Sequence, residues 1–184
     1  MQKRLIRSLR DEKRPEIFDI ILYGSAFKGK EGRDLDIVVI FKTATLRERL
    51  DQIQRIKDNL KASYDNIDIK QTTLEELFSS AFFARTGILT EGISVFRNKP
   101  LPEVLGFRSY VLFWYSLDGL THAQKVKFNY ILAGRGSKGM LKELEGERLV
   151  NGAIKIPTKD SLKFESILEA NKVTYKKKAI LEVI

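Results

Sequence analysis

The amino-acid sequence predicts an α+β fold, in which a small mixed β-sheet flanked by helices is followed by a smaller α+β domain. Segments typical of strands recur at 18–23, 34–41 and 66–71, and a segment with helical periodicity separates the second from the third. Pro100 and Pro102 then interrupt the chain, and alternating patterns typical of strands return after them. The sequence therefore predicts one domain over residues 1–100 and a basic α+β domain of unassigned role over residues 101–184.

The composition sets limits on the class of protein. The 184 residues are 43% hydrophobic and 31% charged, which is typical of a soluble globular protein. No apolar run approaches the roughly 18 residues of a membrane span, and the N-terminus lacks the apolar region of a signal peptide. The absence of cysteine excludes a disulfide framework and a thiolate metal site. We therefore expect a cytoplasmic protein without a membrane partner.

The chain is basic in both halves, with a formal net charge of +9. A basic balance indicates polyanionic partners such as RNA or DNA, and a solvated charged surface is the alternative interpretation. Two segments concentrate this charge. One is the loop at 134–139, which holds Arg135 and Lys138, and the other is one face of the N-terminal helix, with Lys3, Arg7, Arg10 and Arg14.

The elements of the first domain follow from local signals. A helix precedes Pro15, and two buried strands at 18–23 and 34–41 flank the Gly24-Ser25 break. A capping box that begins at Thr45 and a helix cap at Thr73 predict a helix before and a helix after the third strand, which covers 66–71. A short strand is expected at 92–96. We expect the helices to cover one side of this sheet.

The second domain has weaker signals. The apolar, aromatic stretch 108–117 predicts core packing or the interface of a homodimer, ahead of a surface for stacking bases. Alternation of apolar and polar residues over 125–132 favours a half-buried strand. Asn151-Gly152 predicts a hairpin with a type I′ turn. Asp160 is expected to begin a helix, and 173–183 is expected to form a final strand.

The segment from Gly24 to Lys30 spells G-x-x-x-x-G-K, the start of a phosphate-binding P-loop. A P-loop needs Ser or Thr after its lysine to bind Mg²⁺, and this chain has Glu31 there. A P-loop also leads into a helix, whereas here the strand at 34–41 follows within a few residues. The match is therefore interpreted as accidental.

A carboxylate site explains the same region better. Side chains alternate along a strand, so Asp34 and Asp36 are expected on one face, with Leu35 facing the core. Asp68 repeats the pattern on the third strand, between two isoleucines. Crowded carboxylates repel each other unless a cation lies between them, and Mg²⁺ commonly takes one or two carboxylates together with phosphate oxygens. The sequence therefore predicts a Mg²⁺ site at Asp34, Asp36 and Asp68.

The Gly24-Ser25 pair at a strand end, Asp34-x-Asp36 on the next strand and Asp68 on a later one resemble the DNA polymerase β-like nucleotidyltransferase superfamily. The resemblance covers about residues 15–98 and is strongest to its small "minimal nucleotidyltransferase" domains. It implies a Mg²⁺-dependent enzyme that transfers a nucleoside monophosphate from an NTP, with ATP expected, to an acceptor hydroxyl. Nucleic acid is one candidate acceptor.

The resemblance also implies residue roles. Gly24 and Ser25 would bind the triphosphate, with Lys28 and Lys30 adding positive charge, although both lysines are also typical of a solvated loop. Asp34 and Asp36 would hold two metal ions, while Asp68 would complete the metal site and help to deprotonate the acceptor. Lys28 stands where the family often has arginine, and Arg33 where it often has serine, which affects the expected substrate more than the metal ligands.

Two alternatives remain open from the sequence. The first is the antitoxin branch of the same superfamily, which modifies a partner protein and usually has a shorter chain. The second is a binding module for nucleotides or nucleic acid that has kept the fold without activity, because a fold does not fix a function.

Overall fold

The computed structural model describes residues 2–24, 34–61, 64, 66–136 and 138–184, without the side chains of residues 2–4 and 34. The chain divides into two compact units, Met1–Gly106 and Phe107–Ile184. The division lies beyond the sequence-based boundary after residue 100, because Leu101 is buried in the core of the first unit. No described helix has both the length and the apolar character that crossing a membrane requires.

The first unit contains a five-stranded mixed sheet with strand order β3-β2-β1-β4-β5. Strands β2 and β3 are parallel, and the other neighbouring pairs are antiparallel. The elements in chain order are α1 (Gln2–Arg10), β1 (Ile17–Tyr23), β2 (Asp34–Phe41), α2 (Leu46–Lys61), β3 (Asn66–Thr73), α3 (Leu74–Phe78), α4 (Arg85–Glu91), β4 (Ile93–Ser94), β5 (Lys99–Pro100) and α5 (Leu101–Val104).

Helices cover both faces of this sheet. On the α1–α2 face, residues such as Ile37 and Val39 of β2 pack with Leu9 of α1 and Ile56 of α2. On the α3–α5 face, alternate residues of β1 and β2 pack against the three later helices; the cluster contains Ile21, Val38, Ile40, Leu77, Ile88, Leu89 and Leu101. The expectation that helices cover one side only is therefore wrong. The short helices α3–α5 form a second layer because β2 is apolar on both faces.

The predicted helix starts are confirmed by their hydrogen bonds. Thr45 and Glu48 form a capping box at the start of α2, in which the Thr45 amide donates to Glu48 Oε2 at 2.7 Å and the Glu48 amide to Thr45 Oγ1 at 3.3 Å. Thr73 and Glu76 form a second capping box at α3. Each box satisfies backbone N–H groups that the first helical turn leaves without a partner. Helix α2 connects β2 to β3, which run parallel.

An unpredicted buried carboxylate, Asp19, joins β1 to the turn after β4. Its side chain is fully buried and accepts hydrogen bonds from Ser94 Oγ at 2.5 Å and Arg97 Nη1 at 2.6 Å. The backbone amides of Ile20 and Phe96 donate to its Oδ1 at 2.8 and 3.2 Å. A buried carboxylate is tolerated when it is paired and hydrogen-bonded in this way. Asp19 therefore stabilises the fold.

Asp19→Ala should destabilise the protein by about 1–3 kcal/mol, because it leaves the buried Ser94 hydroxyl and the backbone amides without their acceptor. Urea denaturation followed by circular dichroism measures this change. Asp51→Ala, which removes an exposed carboxylate from α2, is the matched control and should change stability by less than about 0.5 kcal/mol. Equal stabilities for the two variants would contradict the structural role of Asp19.

The second unit contains a four-stranded antiparallel sheet with strand order β7-β8-β6-β9. Its elements are β6 (Phe107–Ser116), α6 (His122–Ala133), α7 (Met140–Glu143), β7 (Glu147–Val150), β8 (Ala153–Pro157), a 3₁₀ turn (Thr158–Asp160), α8 (Ser161–Ala170) and β9 (Thr174–Val183). Phe128 of α6 and Phe164 of α8 pack with Phe113 of β6 in one core. This β-α-β-β-α-β order with one covered face is the split βαβ arrangement.

The strand predicted at 125–132 is a helix in the structure, within α6. Phe128 and Leu132 are both fully buried, and they lie one helical turn apart, while Tyr130 between them is exposed. Thr121 begins the helix through a capping box with Gln124 that the alternation obscured. The strand prediction is therefore wrong, because residues spaced by four satisfy both a period of two and a helical stripe.

The predicted hairpin at Asn151-Gly152 is confirmed, since β7 and β8 pair across it. Its turn type differs from the prediction. A type I′ turn needs positive φ at both central residues, and here Gly152 has φ +82° whereas Asn151 has a negative φ.

Candidate active site

Three side chains lie side by side across the first three strands of the first unit. Tyr23 at the end of β1 pairs in register with Asp36 of β2, and Asp36 pairs with Asp68 of β3. Asp36 alternates with Leu35 and Ile37 of the α1–α2 face, so it lies on the opposite, α3–α5 face. Register partners in neighbouring strands share a face. The sheet therefore brings Asp36 and Asp68 together.

Gly24 directly follows Tyr23 and borders the Asp36 carboxylate. Its φ is +88°, a conformation that L-residues with side chains rarely adopt. A Cβ atom at this position would lie 2.1 Å from Asp36 Oδ2. Glycine is therefore required here for two reasons, its backbone conformation and the space that the carboxylate takes.

Lys70 lies two residues after Asp68 on the same face, and its ammonium donates to Asp68 Oδ2 in an ion pair. Both side chains are partly exposed to solvent, with 54% of the Asp68 side chain accessible. The hydrogen bond to Asp68 raises the pKa of Lys70, against the opposing effect of burial. A positive charge thus already compensates one carboxylate of the site.

Tyr23 contributes a half-buried phenol at the other end of the row. Burial raises the pKa of this phenol above its usual value, and the nearby Lys70 ammonium opposes the rise. The carboxylates of Asp68 and Asp36 raise the pKa further. The phenol is therefore neutral at physiological pH and can act as a hydrogen-bond donor.

Tyr23 and Lys70 were not predicted as site residues. The signal for Lys70 was present, because it shares the strand parity of Asp68 and would face the same side. The signal for Tyr23 was its position directly before Gly24.

The other predicted site residues are only partly described. Asp34 begins β2 and its backbone pairs with Asn66, but its side chain lies outside the described atoms. Ser25, Lys28 and Lys30 lie outside the described residues. The strand predicted at 34–41 is present, which agrees with the interpretation of the G-x-x-x-x-G-K match as accidental.

The carboxylate oxygens of the described residues are suitable ligands for a hard divalent cation. Two carboxylates on adjacent strands share one face, and Gly24 leaves space beside Asp36. Oxygen ligands of this kind suit Mg²⁺. Among the described side chains, which exclude that of Asp34, no group of three potential metal ligands is present. Asp36 and Asp68 would be the described part of such a site.

Comparison with solved structures finds weak similarity to toxin–antitoxin proteins. A mutant of the toxin–antitoxin pair MntA–HpeT is 21% identical, with 52% of this chain and 71% of that chain covered and a TM-score of 0.35. A toxin–antitoxin structure with AMP-PNP is 23% identical, with 52% and 73% covered and a TM-score of 0.36. The third, a tri-AMPylated Shewanella oneidensis HEPN toxin in complex with MNT antitoxin, is 23% identical, with 51% and 67% covered and a TM-score of 0.33.

The comparison with curated proteins gave no match. The comparison with family models matches residues 3–89 to the family described as "Nucleotidyltransferase domain". The matched segment contains β1, β2 and β3, and with them the row of Tyr23, Asp36 and Asp68 beside Gly24. Residues 3–89 therefore match the nucleotidyltransferase domain family, over the part of the first unit that carries this row.

Proposed function

We propose that the first unit is a Mg²⁺-dependent enzyme that transfers a nucleoside monophosphate from an NTP, with ATP as the expected donor, to an acceptor hydroxyl. The observation that carries the proposal is the register pairing of Asp36 with Asp68 on one face beside Gly24, within the segment that matches the nucleotidyltransferase domain family. Asp34, Asp36 and Asp68 would hold the metal, which would stabilise negative charge on the attacking and leaving oxygens.

The reaction forms one bond and breaks one bond. The acceptor oxygen attacks the α-phosphorus, the bond from this phosphorus to the bridging oxygen of the β-phosphate breaks, and pyrophosphate leaves. The acceptor proton needs a base, and we assign Asp68 to this role. Lys70 donates to Asp68 Oδ2, whereas Oδ1 has no hydrogen bond with any described residue. Lys70 thus orients the carboxylate, and the two lone pairs of Oδ1 would serve the metal and the acceptor proton.

The triphosphate would be held at the loop that follows β1. Backbone N–H groups around Gly24 and the Ser25 side chain would donate to the β- and γ-phosphates, as backbone nests do for anions. Lys28 and Lys30 would add positive charge. The positive φ of Gly24 supports this assignment, since it turns the chain sharply at the end of β1.

The test incubates the full chain with each α-³²P-labelled NTP, Mg²⁺ and cell extract, and then identifies the labelled product. We expect label transfer with pyrophosphate release, and we expect EDTA to stop both. Label on a single protein would support modification of a partner protein, and label on RNA or DNA would support a nucleic-acid acceptor. Binding of NTP without any pyrophosphate release would contradict the enzymatic proposal.

A further inference from the structure

One face of the second unit's sheet is left open and carries aromatic side chains. Along β6, Val111 and Phe113 are buried beneath the helices, so the alternate residues Tyr110, Leu112 and Trp114 lie on the opposite face. The Trp114 side chain is 44% exposed, although large aromatic residues are usually well buried. β6 therefore presents two aromatic rings away from the core.

The topology explains why this face is open. α6 and α8 contribute Phe128, Leu132, Phe164 and Leu168 to the single core of this unit, and Met140 and Leu141 of α7 pack against the same core. All described helices of residues 107–184 thus lie on one side of the sheet. β6 occupies a central position between β8 and β9, so its aromatic residues have a strand on each side.

Positive charge lies directly beside these rings. On β9, Lys176 pairs in register with Trp114, and Lys178 with Leu112. Lys177, between them, faces the helices and forms an ion pair with Glu165 of α8. Lys176 and Lys178 form no ion pair with the described residues of the chain. Their charge is therefore available to a ligand on the open face.

The remaining charges of this face are largely balanced. Lys155 of β8 lies 4.9 Å from the centre of the Tyr110 ring, and it is paired with Glu182 at 2.7 Å and Glu147 at 3.0 Å. The second unit as a whole holds 14 basic and 8 acidic residues. The open face thus combines the exposed Trp114 ring and the half-buried Tyr110 ring with an excess of positive charge along its β9 side.

These features favour a ligand with flat rings and negative charge. A symmetric dimer through this face would place two surfaces with the same excess of positive charge against each other, which like charges oppose. Single-stranded nucleic acid offers bases that stack on aromatic side chains and phosphates that lysines neutralise. Tyr110 and Trp114 are about 13 Å apart along the strand, at 3.3 Å per residue, so they would contact different bases.

We propose that the open face of the β7-β8-β6-β9 sheet binds single-stranded RNA or DNA, with Trp114 and Tyr110 stacking on bases and Lys176 and Lys178 contacting phosphates. This inference goes beyond the proposed function, because it assigns a binding site to the second unit. Binding can be measured without NTP, so its failure and the failure of nucleotidyl transfer are distinguishable.

The first measurement uses Trp114 itself, which is the only tryptophan of the chain. The full chain is titrated at low salt with mixed-sequence RNA and DNA oligonucleotides of about 12 nucleotides, within the usual site size. Stacking of a base on the indole should quench the fluorescence with a saturable dependence on concentration. Binding should weaken with salt, with a slope of about −0.7 for each phosphate contacted on a single strand.

The second measurement compares variants by the anisotropy of a fluorescein-labelled oligonucleotide. Trp114→Leu should weaken binding about 5- to 150-fold, and Trp114→Phe should retain most of the affinity, since a ring remains. The double variant Lys176→Gln/Lys178→Gln should lower the salt slope by about 1.4. Lys163→Gln/Lys177→Gln removes the same charge from the helix side and should bind like the wild type. Circular dichroism checks that each variant is folded.

Several outcomes would overturn the proposal. Unchanged fluorescence at saturating oligonucleotide would show that no base reaches Trp114. Equal weakening by the two double variants would indicate binding through net charge alone. Equal affinity for duplex and single-stranded oligonucleotides would show that stacking of bases on Trp114 and Tyr110 does not contribute to binding. A dimer in light scattering that Trp114→Leu converts to monomer, without oligonucleotide binding, would identify the face as an interface between copies.

Discussion

Asp36→Asn is expected to reduce nucleotidyl transfer by a factor on the order of 10³ or more, while the melting temperature stays unchanged or rises slightly. The amide removes an anionic oxygen ligand, and metal stabilisation of the transition state contributes several kcal/mol at about 1.36 kcal/mol per factor of ten. Stability should be retained because Asp36 and Asp68 are register partners, and removing one negative charge lowers their repulsion. Pyrophosphate release and thermal denaturation of the same sample measure the two effects.

Two further variants make this result specific. Asp51→Asn removes a carboxylate from the exposed surface of α2 and should leave transfer unchanged. Asp68→Asn should abolish transfer but retain NTP binding, because the base is lost while the residues assigned to the triphosphate remain. It also breaks an ion pair with Lys70 that is exposed and therefore contributes about 0–1 kcal/mol. If Asp36→Asn unfolds the protein, Asp36 is structural; if it turns over like the wild type, the proposed site is wrong.

The central sheet could be predicted because its signals are local. Strands β1 and β2 are continuous apolar runs, and the capping box at Thr45 marks the helix that carries the chain from β2 to β3. A crossover of this kind makes the two strands parallel. Strand alternation predicts which face each of Asp36 and Asp68 occupies. Their pairing also depends on the register of β2 and β3, which sequence alone does not give.

Among the parts that were missed, Lys70 lies two residues after Asp68 on the same strand face, so strand alternation could have identified it. Asp19 depends on contacts between distant residues. Asp19 resembles Asp36, since each is an aspartate within an apolar strand. The two differ in their surroundings, because Asp19 accepts hydrogen bonds from Ser94 and Arg97, which lie 75 and 78 residues later in the chain. No local pattern separates a structural aspartate from a ligand.

Gly24→Ala is expected to lose transfer as completely as Asp36→Asn and, in contrast to it, to lose stability. An alanine at φ +88° is strained by about 1–2 kcal/mol, which for a domain of this size lowers the melting temperature by roughly 5–15 °C. Its Cβ would also lie 2.1 Å from Asp36 Oδ2, so that the carboxylate must move. Displacing the Asp36 carboxylate would misplace the metal relative to the reacting phosphate, and nucleotidyl transfer is sensitive to errors in position of about 1 Å.

Gly87→Ala is the matched control, because it makes the same change in α4 with nothing within 4 Å of the new Cβ and without a positive φ. This variant should gain about 0.4–1 kcal/mol through the reduced entropy of the unfolded chain and should keep full transfer. Pyrophosphate release and thermal denaturation separate the two variants. If Gly24→Ala were active and as stable as Gly87→Ala, the Asp36 carboxylate would not occupy the space beside Gly24, and the assignment of this end of β1 to the active site would fail.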